Sequence, residues 1–127
     1  MNAERAPLVA VVDDDPSVLK ALLRLFRSSG FKARGFASGE EFLTTLPFNR
    51  YDCLIVDLRM PGMSGIDVQQ HSEFLKAGIY TVVVTAHDEA DTRLKCLAAG
   101  AVGYLSKPFD DHVLLQAVMD AMNRGSA

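Results

Sequence analysis

The stretch Cys53–Gly65, CLIVDLRMPGMSG, decides how the rest of the chain is read. Its apolar run Leu54–Val56 has no polar face, as in a strand covered on both sides of a sheet. Asp57 ends that run, and Pro61, Gly62 and Gly65 then break regular structure. In an open parallel α/β sheet, ligand-binding groups gather just outside the carboxyl ends of the strands. A lone Asp there could equally be a turn former. The choice depends on how many other apolar runs of the chain end on polar residues in the same way.

Working outward, three more do. LVAVV (Leu8–Val12) ends on Asp13, Asp14 and Asp15; Tyr80–Val84 ends on Thr85; Ala101–Leu105 ends on Ser106, Lys107 and Pro108. A fifth strand, Phe31–Phe36, alternates apolar and polar residues and so belongs at a sheet edge.

Helical patterns separate these runs. Asp15 followed by Pro16 is a helix start, since Asp accepts first-turn amides and Pro loses nothing there. That helix runs to about Ser28, turns Val18, Leu22, Leu25 and Phe26 inward and Lys20, Arg24 and Arg27 to water, and stops at a left-handed Gly30. Ser38 with Glu41 reads as a capping box, flanked by Ala37 and Phe42; its helix buries Phe42, Leu43 and Leu46 and stops at Pro47. Ile66–Leu75 is the third helix, although Gln69, Gln70, His71 and Ser72 interrupt its apolar stripe. Ala90–Ala99 places Leu94, Leu97 and Ala98 on one side, with Gly100 as cap. Asp110 or Asp111 caps the last helix, whose stripe is Leu114, Ala117, Val118 and Ala121.

Five strands alternating with five helices, joined by short links, predict a doubly wound parallel sheet of the flavodoxin-like kind, with helices on both faces. With the half-polar second strand at an edge, the strand order is 2-1-3-4-5 and the switch point lies between strands one and three. The 127 residues then form a single domain with a core of about 8–122 and tails at 1–7 and 123–127.

Composition narrows the function. A net charge of -3 argues against a nucleic-acid-binding surface, which normally shows as a basic excess, and makes no case for anionic membrane; the longest apolar run is far too short to span a membrane. Cys53 and Cys96 lack metal-ligand spacing and read as reduced thiols of a cytoplasmic protein. His71, His87 and His112 have no ligand spacing either and read as surface residues.

The predicted topology gathers Asp13, Asp14, Asp57, Thr85 and Lys107 at one crevice. Three crowded carboxylates repel unless a cation relieves them, and Mg²⁺ takes one or two carboxylates plus waters and phosphate oxygens. With the Lys107 ammonium and the Thr85 hydroxyl, the set makes a phosphoryl-binding site in which Asp57 is the nucleophile.

These residues resemble the receiver domain of two-component response regulators from Leu8 to about Met122. The matching motifs are VVDDDP, LIVDLRMPGMSG, VVTA and GYLSKPF. GAVGYLSKPF further resembles receivers that precede a helix-turn-helix DNA-binding domain. The resemblance implies a phosphorylation-activated switch, with Asp57 accepting a phosphoryl group from a sensor histidine kinase or phosphotransfer protein. It implies Mg²⁺ held by Asp14, Asp57 and the carbonyl of Arg59, with Asp13 acting mostly through water. Thr85 and Tyr104 become the switch pair, Tyr104 turning from outward to inward on phosphorylation, and the Lys107–Pro108 bond is cis. The signal would leave through the fourth helix, fifth strand and last helix (Arg93, Lys95, Tyr104, Leu115, Met119 and Met122), the candidate face for a homodimer. Chemistry is confined to phosphorylation and dephosphorylation of Asp57 itself, with no nucleic acid or membrane contact by this domain.

Two features depart from the family pattern: Tyr80 stands where many receivers have proline, and Ser72 where the third helix usually buries leucine. Arg59 and His87 hold variable positions that tune phosphoryl lifetime in the family. Three other readings compete. A phosphorylation-independent pseudo-receiver would not need the intact site. A phosphatase with an Asp nucleophile would carry a second Asp where Arg59 stands. A flavin-binding relative would need a hydroxyl- and Gly-rich phosphate loop after strand one.

Overall fold

In a computed structural model that describes residues 6–46 and 48–124, the apolar runs become five parallel strands. These are β1 (Leu8–Val12), β2 (Lys32–Phe36), β3 (Cys53–Asp57), β4 (Tyr80–Thr85) and β5 (Gly103–Ser106), ordered β2-β1-β3-β4-β5. The expected order is the one observed, with β2 at an edge. Residues 1–5 and 125–127 of the expected tails, and Pro47 at the expected stop of the second helix, lie outside the described residues.

Pairing sets the site's geometry directly. Val12 lies opposite Val56, and Asp57 opposite Val84, so strands one, three and four end at the same level. The helices are α1 (Pro16–Ser28), α2 (Gly39–Thr45), α3 (Gly65–Gln70), α4 (Ser72–Ala77), α5 (Ala90–Ala98) and α6 (Asp111–Arg124). On one face of the sheet Phe42, Leu43, Leu46, Val68, Phe74 and Cys96 pack against Ala10, Leu54, Val56 and Val83. On the other, Leu22, Phe26, Leu114, Val118 and Ala121 pack against Val9, Val11, Ile55 and Val82. Both stripes expected for α1 and α6 therefore face the core. None of the helices is long and apolar enough to cross a membrane among the described residues.

Local caps explain where the helices begin. Asp15 Oδ1 accepts from the N–H groups of Ser17 and Val18, and Pro16 occupies the first turn. Ser38 Oγ accepts from the Glu41 N–H at 3.1 Å. The reciprocal bond of a full capping box forms instead at Ser64, where Asp67 Oδ2 accepts from the Ser64 N–H and Ser64 Oγ accepts from Asp67. Gly30 follows α1 at φ +93°, as expected.

Two expectations need correction. The third helix divides into two, giving six helices where five are expected. His71 is extended at φ -69°, ψ 138°, and its Nδ1 accepts from the Glu73 N–H to start α4. Packing supplies the reason. α3 buries Val68 and Gln69, and in an unbroken helix Phe74, five residues beyond Gln69, would point well away from that face. The break at His71 brings Phe74 into the core.

In α5 the apolar side faces outward: Leu94 is 65% and Leu97 44% exposed, while Cys96 is fully buried. The sheet side of this helix is Thr92, Cys96 and Ala99, small residues that permit close approach. Gln69 Nε2 fixes the contact by donating to the Cys96 carbonyl at 3.1 Å.

Candidate phosphoryl-acceptor site

The three aspartates after β1 divide into three environments. Asp13 is 1% exposed, and both its carboxylate oxygens are engaged: Oδ1 accepts from the Asp15 N–H at 2.9 Å and Oδ2 from Lys107 Nζ at 3.1 Å. Asp14 is exposed and makes no hydrogen bond or ion pair with another described residue. Asp15 caps α1. One tripeptide thus supplies a buried anion, a free carboxylate and a helix cap.

Asp57 enters the same crevice from the end of β3, 8% exposed. Its Oδ2 lies 3.7 Å from Lys107 Nζ, and carboxylate oxygens of Asp13, Asp14 and Asp57 lie within 4.8 Å of one another. Burial pushes the Asp57 carboxyl above the usual carboxylate range and Asp13 pushes it further; Lys107 and the Arg59 backbone N–H pull it down. Behind it, Gly65 opens α3 against the strand end. A Cβ there would meet the Asp57 carbonyl at 3.0 Å and Leu58 Cα at 3.2 Å, so the loop closes this tightly only without a side chain.

Thr85 ends β4 and Lys107 directly follows β5. The Lys107 N–H donates to the Thr85 carbonyl at 2.7 Å, and the Lys107–Pro108 bond is cis. The fully buried Thr85 hydroxyl accepts from the His87 N–H at 3.0 Å, which directs it to the loop after β4.

The loop after β4 is held at two further points. Ser106 Oγ donates to Asp88 Oδ2 at 2.8 Å, and Arg59 pairs with Glu89 at 3.2 Å. No short-range pattern announces either contact, because the partners stand on separate strand-end loops.

Tyr104 departs from expectation. Its ring is already inward, 7% exposed, with Arg93 stacked over it at 5.3 Å and its hydroxyl without a hydrogen-bond partner among the described residues. Burial, together with Asp88, raises its phenol above the ordinary value. The inward rotamer is therefore compatible with a Thr85 hydroxyl still bound to the His87 backbone.

The remaining candidates are quiet. Burial pushes the Cys53 thiol up to about 12 and also raises Cys96; both are free. Inert buried thiols of this kind play no nucleophilic role. His87 and His112 are exposed, and His71 caps α4.

A five-stranded 2-1-3-4-5 sheet with an acidic crevice at its switch point is the arrangement of receiver domains. The chain belongs to the response regulator receiver domain family, whose pattern covers residues 9–119. Response regulator protein TodT of Pseudomonas putida is 38% identical over 120 residues, covering 94% of this chain and 53% of TodT. The chain thus spans about half the length of the curated relatives it matches. The crystal structure of FixJ-N superposes with a TM-score of 0.86 at 34% identity, covering 94% of this chain and 95% of that one. A response regulator receiver protein from Burkholderia phymatum gives 0.82 at 44% identity, covering 92% and 95%. Receiver domains are signalling modules of two-component systems.

Proposed function

We propose that this chain is a phosphorylation-activated switch in which Asp57 accepts a phosphoryl group from a sensor histidine kinase or phosphotransfer protein. The observation that carries this reading is a buried carboxylate at the end of the central strand, 3.7 Å from Lys107 Nζ and sharing its crevice with two more aspartates. An Asp57 oxygen forms the new bond to phosphorus as the bond to the donor's leaving atom breaks, and the donor keeps that electron pair. Lys107 balances charge on the phosphoryl oxygens. Turnover is limited to phosphorylation and dephosphorylation of Asp57.

The donor set fits a hard divalent cation. Its oxygens are close, and the Asp57 carboxyl, raised first by burial and then by the Asp13 charge, is one whose ionised form a cation would favour. The family pattern makes Asp14 and Asp57 the direct ligands, with the Arg59 carbonyl, and has Asp13, which already accepts from Lys107 and the Asp15 N–H, act mostly through water. When bound, Mg²⁺ supplies the positive charge that phosphoryl oxygens require. Asp14→Ala is therefore expected to reduce Mg²⁺ affinity at least tenfold and leave the fold intact. Titration calorimetry giving equal affinity for variant and wild type contradicts the assignment.

Phosphorylation adds roughly one and a half to two negative charges beside Thr85. A neutral hydrogen bond to the His87 backbone contributes only about 1 kcal/mol net, and a charge-assisted one roughly twice that. The Thr85 hydroxyl then exchanges its loop partner for a phosphoryl oxygen and draws the loop after β4 with it. The change reaches α5, β5 and α6, where Leu94, Leu97 and Met119 are exposed and a second copy could dock. Thr85→Ala is expected to keep the adduct while losing most amide shift changes at Tyr104 and along α6. Shifts as large as in wild type place the coupling elsewhere.

The whole reading is tested by intact mass after incubation with Mg²⁺ and a small acyl phosphate. One hydroxylamine-labile phosphoryl adduct is expected, and none without the cation.

A further inference from the structure

The polar face of α1 carries charge of one sign. Lys20, Arg24 and Arg27 stand at i, i+4 and i+7, one side of the helix over about 10 Å of its axis. No Asp or Glu occurs from Pro16 to Ser38, although the chain's net charge is -3. Among the described residues none of the three cations makes an ion pair. Like charges at this spacing weaken the helix that carries them.

Between these cations lies a groove of about 550 Å³, lined also by Leu23 and Ser28. Its apolar part is Leu23, and β2 holds that side chain in place: a Cβ on Gly35 would come within 2.8 Å of Leu23 Cδ1. Arg27 Nη2 donates to the Ala33 carbonyl at 2.8 Å, which fixes one guanidinium at the groove's edge before anything binds. The surface therefore offers a prepositioned cation, two free cations one helical turn apart, and an apolar seat between them.

We propose that this groove docks an acidic amphipathic helix of a partner protein. Carboxylates spaced one turn apart would face Lys20, Arg24 and Arg27, and one apolar side chain would cover Leu23. Nucleic acid matches the charge but brings no aliphatic side chain for that seat. The groove lies toward the C-terminal end of α1, away from the end that Asp15 caps beside the acidic crevice. Docking there is independent of the chemistry assigned to Asp57.

The test uses the full chain and a fluorescent helix-forming peptide with Glu at i, i+4 and i+7 around a single Leu. Anisotropy at low salt is expected to show saturable binding, weakened about tenfold or more by Arg24→Glu and by Lys20→Glu, and weakened again at high salt. Replacing the peptide's Leu by Ser should also lower affinity, and amide shifts should centre on residues 20–28 and Gly35. Both protein substitutions are at exposed positions, and circular dichroism melts matching wild type verify that the fold is kept. Absence of saturable binding overturns the proposal, as does wild-type affinity in both charge-reversal variants. Tighter binding of a mixed-sequence DNA duplex to the same residues overturns it in favour of nucleic acid.

Discussion

Asp57→Asn is expected to abolish the phosphoryl adduct completely and, in the same protein, to raise the melting temperature at neutral pH without divalent metal. The first effect follows from removing the nucleophilic oxygen. The second follows from electrostatics: burial, then Asp13, holds the folded-state carboxyl of Asp57 above its ordinary value of 3.8. A group raised in this way contributes stability that is fully present below its unfolded value and is lost as pH rises through the folded one. At neutral pH its charge is a cost to the fold, and Asn removes it. A measurable rise in melting temperature is expected, since in a domain of this size even about 1 kcal/mol moves the midpoint by several degrees. The difference should shrink as pH falls toward 3.8, below which both states bind the proton, and shrink again with Mg²⁺, which stabilises only wild type. An adduct that persists in Asp57→Asn refutes the nucleophile. A variant less stable than wild type at neutral pH refutes the electrostatic account.

Phe42→Ala is expected to cost about 3–5 kcal/mol, the usual range for deleting a buried aromatic side chain. Phe42 is fully buried and meets three rings: Phe36 at 5.6 Å between centroids, Tyr51 at 5.4 Å and Phe74 at 6.3 Å. These rings come from β2, the segment before β3, and α4, so the cavity opens where four parts of the chain meet. Since a domain holds only about 5–15 kcal/mol in total, the variant should be close to unfolding at body temperature. Urea titration is the measurement; a loss under about 1.5 kcal/mol would mean that the neighbouring rings collapse into the space. Asp57→Asn and Phe42→Ala therefore move stability in opposite directions. The first lies where like charges have been concentrated, the second where apolar area has been removed from water.

The fold was legible because its signals are local or follow from chain connectivity. LVAVV and CLIVD are apolar on both faces, which only a strand covered on both sides tolerates. Phe31–Phe36 is half polar and so occupies an edge. Right-handed crossovers then leave few orders, and 2-1-3-4-5 is the one observed. The site was legible for the same reason: a residue just beyond an apolar run lies at a strand end, and parallel strands bring their carboxyl ends to one side. Asp13, Asp14 and Asp57 come together this way with Lys107 beside them, while Thr85 ends β4.

Other features depend on distances between elements that no periodicity encodes. Leu94 and Leu97 look like a core stripe, yet close approach of α5 to the sheet selects Thr92, Cys96 and Ala99 and leaves the leucines in water. The weak stripe of Ile66–Leu75 signalled trouble, but only packing showed that a break at His71 brings Phe74 inward. The Thr85 hydroxyl turns to the His87 backbone two residues on, Arg59 meets Glu89 across two strand-end loops, and Arg93 of α5 covers an inward Tyr104 of β5. Sequence alone thus determined which residues reach the crevice, since strand ends follow from hydrophobic runs. Tertiary structure decided how Lys107 reaches Asp13 and Asp57 and how Arg59 reaches Glu89, because those contacts depend on neighbours distant in sequence.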